Sequence, residues 1–330
     1  MKYNTPENSS YPSYKKATGP ALSLALGALA FAATLPLNVP RACAEEAGPP
    51  PPSRSHALSN LEFSDKYLTP RGMIVHNSGL TFQWLGLGLL NVYKGESFIN
   101  DVTLVGGIWN DFSTDPVSVH APFGSSPKTH WVEIDPIAGI SVSFAKRLKL
   151  DVTYTAFNMQ ILDIGTSQHL EAKLGFDDSD YLKGFALHPY VSFWQELSGK
   201  ATDAQVPFIV FQGTPGPDSS YYFEVGIAPS YTFKQIGLRL EAPCRVLLPN
   251  KDFYGEFYDK ASTVGLFEVG VKGTVGLSFI PGEYGHWSLH AGFRYMNFVD
   301  KNLQGLQQFN APGKAVKDTA QIYAGLTAFF

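Results

Sequence analysis

The stretch Leu148-Lys149-Leu150-Asp151-Val152-Thr153-Tyr154-Thr155-Ala156 decides the fold. Every second residue is apolar, and each residue between is charged or carries a hydroxyl. A strand turns successive side chains to opposite faces, so one face here suits an apolar medium and the other suits water. The pattern recurs. Ile236, Leu238, Leu240, Ala242, Cys244 and Val246 alternate with Gly237, Arg239, Glu241, Pro243 and Arg245, and Phe267, Val269, Val271, Val275, Leu277 and Phe279 oppose Glu268, Lys272, Thr274 and Ser278. Such runs exceed the ~5–6 residues of a globular strand and match the ~9–11 that a tilted strand needs to cross a bilayer.

Working outward, the alternation predicts twelve strands, near 68–75, 79–90, 102–112, 130–144, 148–158, 166–177, 185–196, 220–233, 236–248, 263–279, 287–299 and 319–330. Their connectors alternate in length, with 113–129, 197–219, 249–262 and 300–318 long and Ala145-Lys146-Arg147 and 234–235 tight. Short turns at the periplasmic rim and long loops outside mark a bacterial outer-membrane barrel, and an even strand number returns both termini to one side. The fold class is therefore all-β: a closed antiparallel transmembrane β-barrel of about twelve strands, because lipid leaves no room for unpaired backbone. A spanning helix over 72–93 is broken by His76, Asn77, Ser78, Thr81, Gln83 and four glycines. A soluble sandwich would have shorter strands.

Composition agrees. The chain has 330 residues, 14% aromatic and only 16% charged, with 25 Lys+Arg against 29 Asp+Glu and a net charge of −4. That balance excludes a nucleic-acid binder, which needs a basic face. Lys15 and Lys16, the uncharged run Ala21–Leu37 and Ala42-Cys43-Ala44 form the three parts of a secretory signal peptide, expected over 1–44. Pro49-Pro50-Pro51-Pro52 cannot donate to a sheet, so 45–66 is expected as a Pro-rich periplasmic linker and 67–330 as the barrel. Cys244 alone survives cleavage, which leaves no internal disulfide, and its parity turns it toward lipid.

Two local conflicts stand out. Leu85, Leu87 and Leu89 share a face with Thr81 and Gln83, which a bulge near Trp84 would repair. Pro136, Pro189, Pro229 and Pro243 fall inside strands of a sheet without free edges, so each predicts a bulge or a boundary.

Ile322, Ala324, Leu326, Ala328 and Phe330 alternate up to a C-terminal phenylalanine. This resembles the terminal-strand signature of bacterial outer-membrane β-barrel proteins, a porin-like superfamily. The resemblance implies export to the outer membrane of a Gram-negative envelope. It also implies contact with membrane lipid and lipopolysaccharide, and delivery to the barrel-assembly machinery through Phe330.

With apolar faces toward lipid, the lumen receives Glu133, Asp135, Lys149, Asp151, His169, Glu171, Lys173, Glu224, Arg239, Glu241, Arg245, Glu268, Lys272, His290 and Arg294. Glu171, Lys173, Arg239, Glu241, Glu268, Lys272 and Arg294 fall near mid-membrane, where an Arg or Lys facing lipid would cost about 2–4 kcal/mol. They are expected to face inward, pair, and form a candidate constriction. Mixed signs argue against a filter of one polarity. The expected function is a narrow passive channel for small polar solutes. The alternatives are a lipid-modifying enzyme or a structural barrel with a sealed lumen. His286, Ser288 and His290 lie close together but form no hydrolase pattern, so no catalytic residue, cofactor or metal is assigned. Asp177, Asp178 and Asp180 suit a solvated turn better than a cation site. Phe253, Tyr254, Phe257 and Tyr258 either pack their own loop, stack on a sugar, or fold inward as a plug.

Overall fold

The computed structural model describes residues 54–330 apart from 118–119, 122–123, 126–128, 161–165, 183, 199–219, 256–258 and 308–314. The expected signal peptide and the proline run lie outside the described residues. Fifteen hydrogen-bonded segments form one antiparallel sheet. Pro189, Pro229 and Pro243 each split a strand in two, leaving twelve. In chain order these are β1 Ser55–Ser64, β2 Thr81–Lys94, β3 Ile99–Val117, β4 Thr129–Phe144, β5 Leu148–Met159 and β6 Ser167–Phe176. They continue as β7 Phe185–Ala186 with Tyr190–Ser198, β8 Tyr221–Ile227 with Ser230–Phe233, and β9 Leu238–Glu241 with Cys244–Pro249. The last three are β10 Leu266–Gly276, β11 His286–Phe298 and β12 Asp318–Phe329.

Each strand pairs with its neighbours in sequence, and β1 pairs with β12 from Leu58↔Phe329 to Ser64↔Tyr323, which closes the barrel. Phe330 extends that seam: its N–H donates to Ala57 O at 2.9 Å, and Ala57 N–H donates to Phe330 O at 3.1 Å. The prolines withhold a donor but keep their carbonyls in use, for example Ala242 N to Pro229 O and Gly270 N to Pro243 O, both at 2.8 Å. Pro136 interrupts the β4–β5 ladder between Ile134 and Ile137.

The outer wall exposes Trp84, Leu104, Ile140, Val225, Val271, Phe293 and Ile322, the last two-thirds open. A contiguous apolar belt on this scale belongs in lipid. The chain is thus a transmembrane β-barrel. Cys244 lies opposite Ile227 and shares its outward face. One rim carries the tight turns, including Ala145 and Lys146 at φ 50° and 64°, together with Arg54 and Phe330.

Two sequence expectations fail at the start. The strand expected over 68–75 is not a wall strand. Residues Ser55–Ser64, assigned to the 45–66 linker, take its place as β1. Its alternation is hidden because Ser59 sits on the outward face between Ala57 and Leu61. Residues Tyr67–Leu68 and Ile74–His76 instead pair as a small hairpin inside the barrel. The β1–β2 connector is therefore the long segment 65–80 rather than 76–78, and the β2–β3 turn shrinks to 95–98. The bulge expected near Trp84 is also absent. The β2 register runs unbroken from Thr81 to Asn91 and shifts only between Asn91 and Tyr93. Leu85, Leu87 and Leu89 simply face the lumen, buried beside Thr81 and Gln83.

Candidate functional site in the barrel lumen

The lumen is divided into an occluded half toward the long loops and an open half toward the tight turns. The divider is the 65–80 connector, whose tip is Thr69-Pro70-Arg71-Gly72. Pro70 fixes its own φ, and Gly72 supplies a φ of +88° that L side chains rarely adopt. Thr69 closes the turn by donating its N–H to Met73 O at 2.8 Å, while its Oγ1 accepts from Met73 N at 2.9 Å.

Three consecutive tip carbonyls are held by side chains from three different elements. Arg245 on β9 donates to Pro70 O at 2.6 Å, Tyr254 of the β9–β10 loop to Arg71 O at 2.8 Å, and Gln307 to Gly72 O at 2.5 Å. Burial pushes the Tyr254 hydroxyl up, which keeps it a donor. Gln307 follows α1, Lys301–Leu306, whose first turn is capped by Asp300 accepting from Asn302 N and Leu303 N. Lys301 donates to Asp259 and holds that carboxyl below its ordinary range, tying α1 to the neighbouring loop. Lower on the hairpin, Tyr67 donates to Glu133 Oε2 at 2.7 Å, and His76 Nε2 lies 3.2 Å from Asp111 Oδ2.

One wall beside this plug is aromatic. Phe157, His169, Trp194, Tyr222, Phe253 and Tyr254 form an arc across β5–β8 and the β9–β10 loop, with successive ring centroids 4.1–5.2 Å apart. Phe253 and Tyr254 thus fold inward, as one of the three expectations had it; Phe257 and Tyr258 lie outside the described residues. The Arg71 guanidinium sits on the arc, 4.7 Å from the Trp194 ring centre and 5.1 Å from that of Phe157. It is fully buried, and its three nitrogens find no hydrogen-bond partner among the described residues.

Below the plug lies a cavity of about 2340 Å³, open at the tight-turn rim and bounded above by Pro70, Glu224 and Trp109. Of the expected constriction residues, Lys173, Arg239, Glu241, Glu268, Lys272 and Arg294 line it. Glu171 lies outside this lining, buried and accepting from Ser192 at 2.7 Å. Arg239 pairs with Glu241 of its own strand at 3.2 Å, and Arg294 pairs with Glu62 at 3.4 Å. Glu268 joins Glu224 in flanking Arg245, which contacts both carboxylates and the plug. Lys173 stacks 3.8 Å over the Tyr190 ring. Lys272 holds no ion pair among the described residues.

Glu62 and Arg71 escape sequence reasoning because β1 and the plug are misassigned there. The signal for Arg71 was available: an arginine in a Thr-Pro-Arg-Gly turn cannot belong to a lipid-facing strand. Asp177, Asp178 and Asp180 serve their turn instead: Asp177 accepts from Ser179, Asp178 from Leu187 N and His188 N, and Asp180 pairs with Arg147. Ser288 and His290 are buried on one face, with His290 Nε2 3.5 Å from Glu62. Ser167, His169 and Glu196 do meet, but serine and carboxylate both approach the same nitrogen, Nε2, at 2.7 and 3.7 Å. A hydrolase relay needs them on opposite nitrogens, so this trio is structural.

The fold and the lumen define a class, a twelve-stranded transmembrane barrel with a plugged lumen. No protein-family model and no curated protein matches the sequence. Among solved structures the chain is similar to an outer membrane channel from Pseudomonas putida F1, with 11% identity over 86% of this chain and 98% of that one at a TM-score of 0.45. It is also similar to the β domain of the Bordetella autotransporter BrkA, at 12% identity over 83% and 98% with a TM-score of 0.42. A third is the NanC porin, at 6% identity over 83% and 98% with a TM-score of 0.41.

Proposed function

We propose that the protein is a channel of the bacterial outer membrane for small polar solutes, gated by the 65–80 hairpin. The apolar belt supports the membrane, and the tight-turn rim is read as periplasmic because short turns mark that side of a bacterial outer-membrane barrel. Assembly through the C-terminal strand and contact with lipid and lipopolysaccharide belong to the same reading. The observation that carries the channel is the cavity of about 2340 Å³, part of its wall charged, which runs up the barrel and stops against Pro70. A barrel meant only as a staple would have no use for a charged chamber held open to water. Mixed pairs such as Arg239–Glu241 and Arg294–Glu62 offer weak, repeated contacts, which let a solute enter and leave.

The sealed structural barrel is the second reading, and the apolar packing of Phe253, Leu266, Phe298 and Leu303 around the plug favours it. Planar-bilayer conductance separates the two. Wild-type protein is expected to give rare, brief openings, and a variant with residues 66–77 replaced by a Gly-Ser linker a steady current. Arg239→Glu or Lys272→Glu in that open variant should shift ion preference toward cations. Silence from both the wild type and the plugless variant would reject the channel.

A further inference from the structure

The inward face of β2 is the wrong kind of surface for a plain water channel. A porin lumen is polar, yet Leu85, Leu87 and Leu89 point into this one. They are not isolated. Direct cross-strand pairing aligns Leu58, Leu87, Gly107 and Ile137 in one row over β1 to β4. Leu85 pairs with Trp109 on one side of that row, and Leu89 with Val105 on the other; these four side chains line the cavity, backed by the row between them. Gly107 lets the row pack flat, since a Cβ there would stand 2.6 Å from Leu87 Cδ2 and 2.2 Å from Gly86 O. The patch reaches from near the inner rim up to the plug, where the Trp109 ring lies 5.6 Å from Tyr67.

The rest of the same cavity is charged and carries an excess of cations. Its lining holds eleven Lys and Arg against eight Asp and Glu, although the whole chain is net negative. Arg239 on β9 and Lys272 on β10 stand about half a turn of the barrel from the β2–β3 patch. Lys272 keeps its ammonium free of ion pairs among the described residues. An apolar wall facing a cationic one, across a chamber open to water, complements a molecule with an apolar body and one acidic group.

We propose that this chamber binds amphipathic organic anions, the apolar body on Leu85, Leu89, Val105 and Trp109 and the acidic group toward Lys272 and Arg239. This rests on the channel reading and names its substrate class. A ligand on this patch reaches Trp109 and therefore touches the underside of the plug.

The test uses three small soluble probes on the full barrel in lipid nanodiscs, with empty nanodiscs as the blank: benzoate, its neutral counterpart benzyl alcohol, and acetate. Binding is read by saturation-transfer NMR and calorimetry. Benzoate is expected to bind at least about tenfold more tightly than either of the others, since each lacks one of its two contacts. Leu89→Asn should weaken benzoate and benzyl alcohol alike. Lys272→Gln should weaken benzoate and leave benzyl alcohol unchanged, and this second variant keeps the test alive if Leu89→Asn assembles poorly. Equal binding of all three probes, or none, overturns the ligand class even where the plugless variant conducts. Selective benzoate binding by a barrel that never conducts would uphold the site and overturn the channel instead.

Discussion

Gly72→Ala should open the barrel without unfolding it. Gly72 sits at φ +88°, where an L side chain is strained by about 1–2 kcal/mol. The new methyl would also stand 2.8 Å from Leu266 Cδ2 and 3.1 Å from both Leu303 Cδ2 and Phe298 Cε1. Those neighbours belong to β10, α1 and β11, so they cannot all retreat together. Overpacking of this kind adds about 1–3 kcal/mol. The sum, about 2–5 kcal/mol, falls on the seated plug and not on the wall ladder, because among the described residues Gly72 hydrogen-bonds only to Thr69 in the hairpin and to Gln307 after α1. At about 1.4 kcal/mol per factor of ten, the open population should rise between thirtyfold and several thousandfold. Single-channel recording measures that ratio directly, and the shift in gel mobility on boiling reports whether the wall is intact. A variant with wild-type gating and an intact barrel would show that 65–80 is not the gate. Loss of the folded gel band would show that the hairpin is part of the barrel's own core.

Two further outcomes are expected. Deleting Phe330 removes both of its hydrogen bonds to Ala57 at the β1–β12 seam and its edge contact with Trp287, so folded barrel recovered from cells should fall several-fold; normal recovery would dismiss the terminal signature. Cys244, on the outward face opposite Ile227, should resist a charged thiol reagent in the folded protein while accepting a membrane-soluble maleimide. Rapid charged labelling would place β9 out of register by one residue.

The lipid-facing half of this fold is readable because lipid imposes one simple demand, apolar residues at every second position. That demand placed β4, β5, β6 and β12 within two residues of their observed bounds and turned Lys149, Asp151, Arg239 and Lys272 inward. The interior obeys no such single demand. Tyr67, Leu68, Ile74 and Val75 are apolar because they are buried under loops, which in sequence looks the same as apolar because they face lipid. Leu85, Leu87 and Leu89 mislead in the same way: their strand is apolar on both faces, as in any sheet covered on both sides. Glu62 was lost with β1. Its inward place depends on a strand whose outward face is broken by Ser59, and only the closing partner β12 makes that strand worth forming.

Arg71 decides how firmly the plug is seated. Its neighbours Tyr67, Leu68, Met73, Ile74 and Val75 are all buried, and each such side chain contributes roughly 1.5–3 kcal/mol to the closed state. The guanidinium works against them. It is taken out of water entirely, at an effective cost of several kcal/mol. Stacking on Trp194 and Phe157 returns about 2 kcal/mol, and no hydrogen bond among the described residues returns more. Glu133 and Glu171 already accept from Tyr67 and Ser192, and neither forms an ion pair with the guanidinium among the described residues. A buried charge held this way favours release, because outside the plug it regains water. Arg71→Met keeps the length and the contact with both rings while removing the charge. It should lower the open probability about tenfold or more below wild type in planar bilayers, and it should partly reclose Gly72→Ala when the two are combined. An Arg71→Met barrel that opens more often would mean that the surrounding carboxylates depend on the guanidinium, which would make Arg71 the latch of the plug instead of its spring.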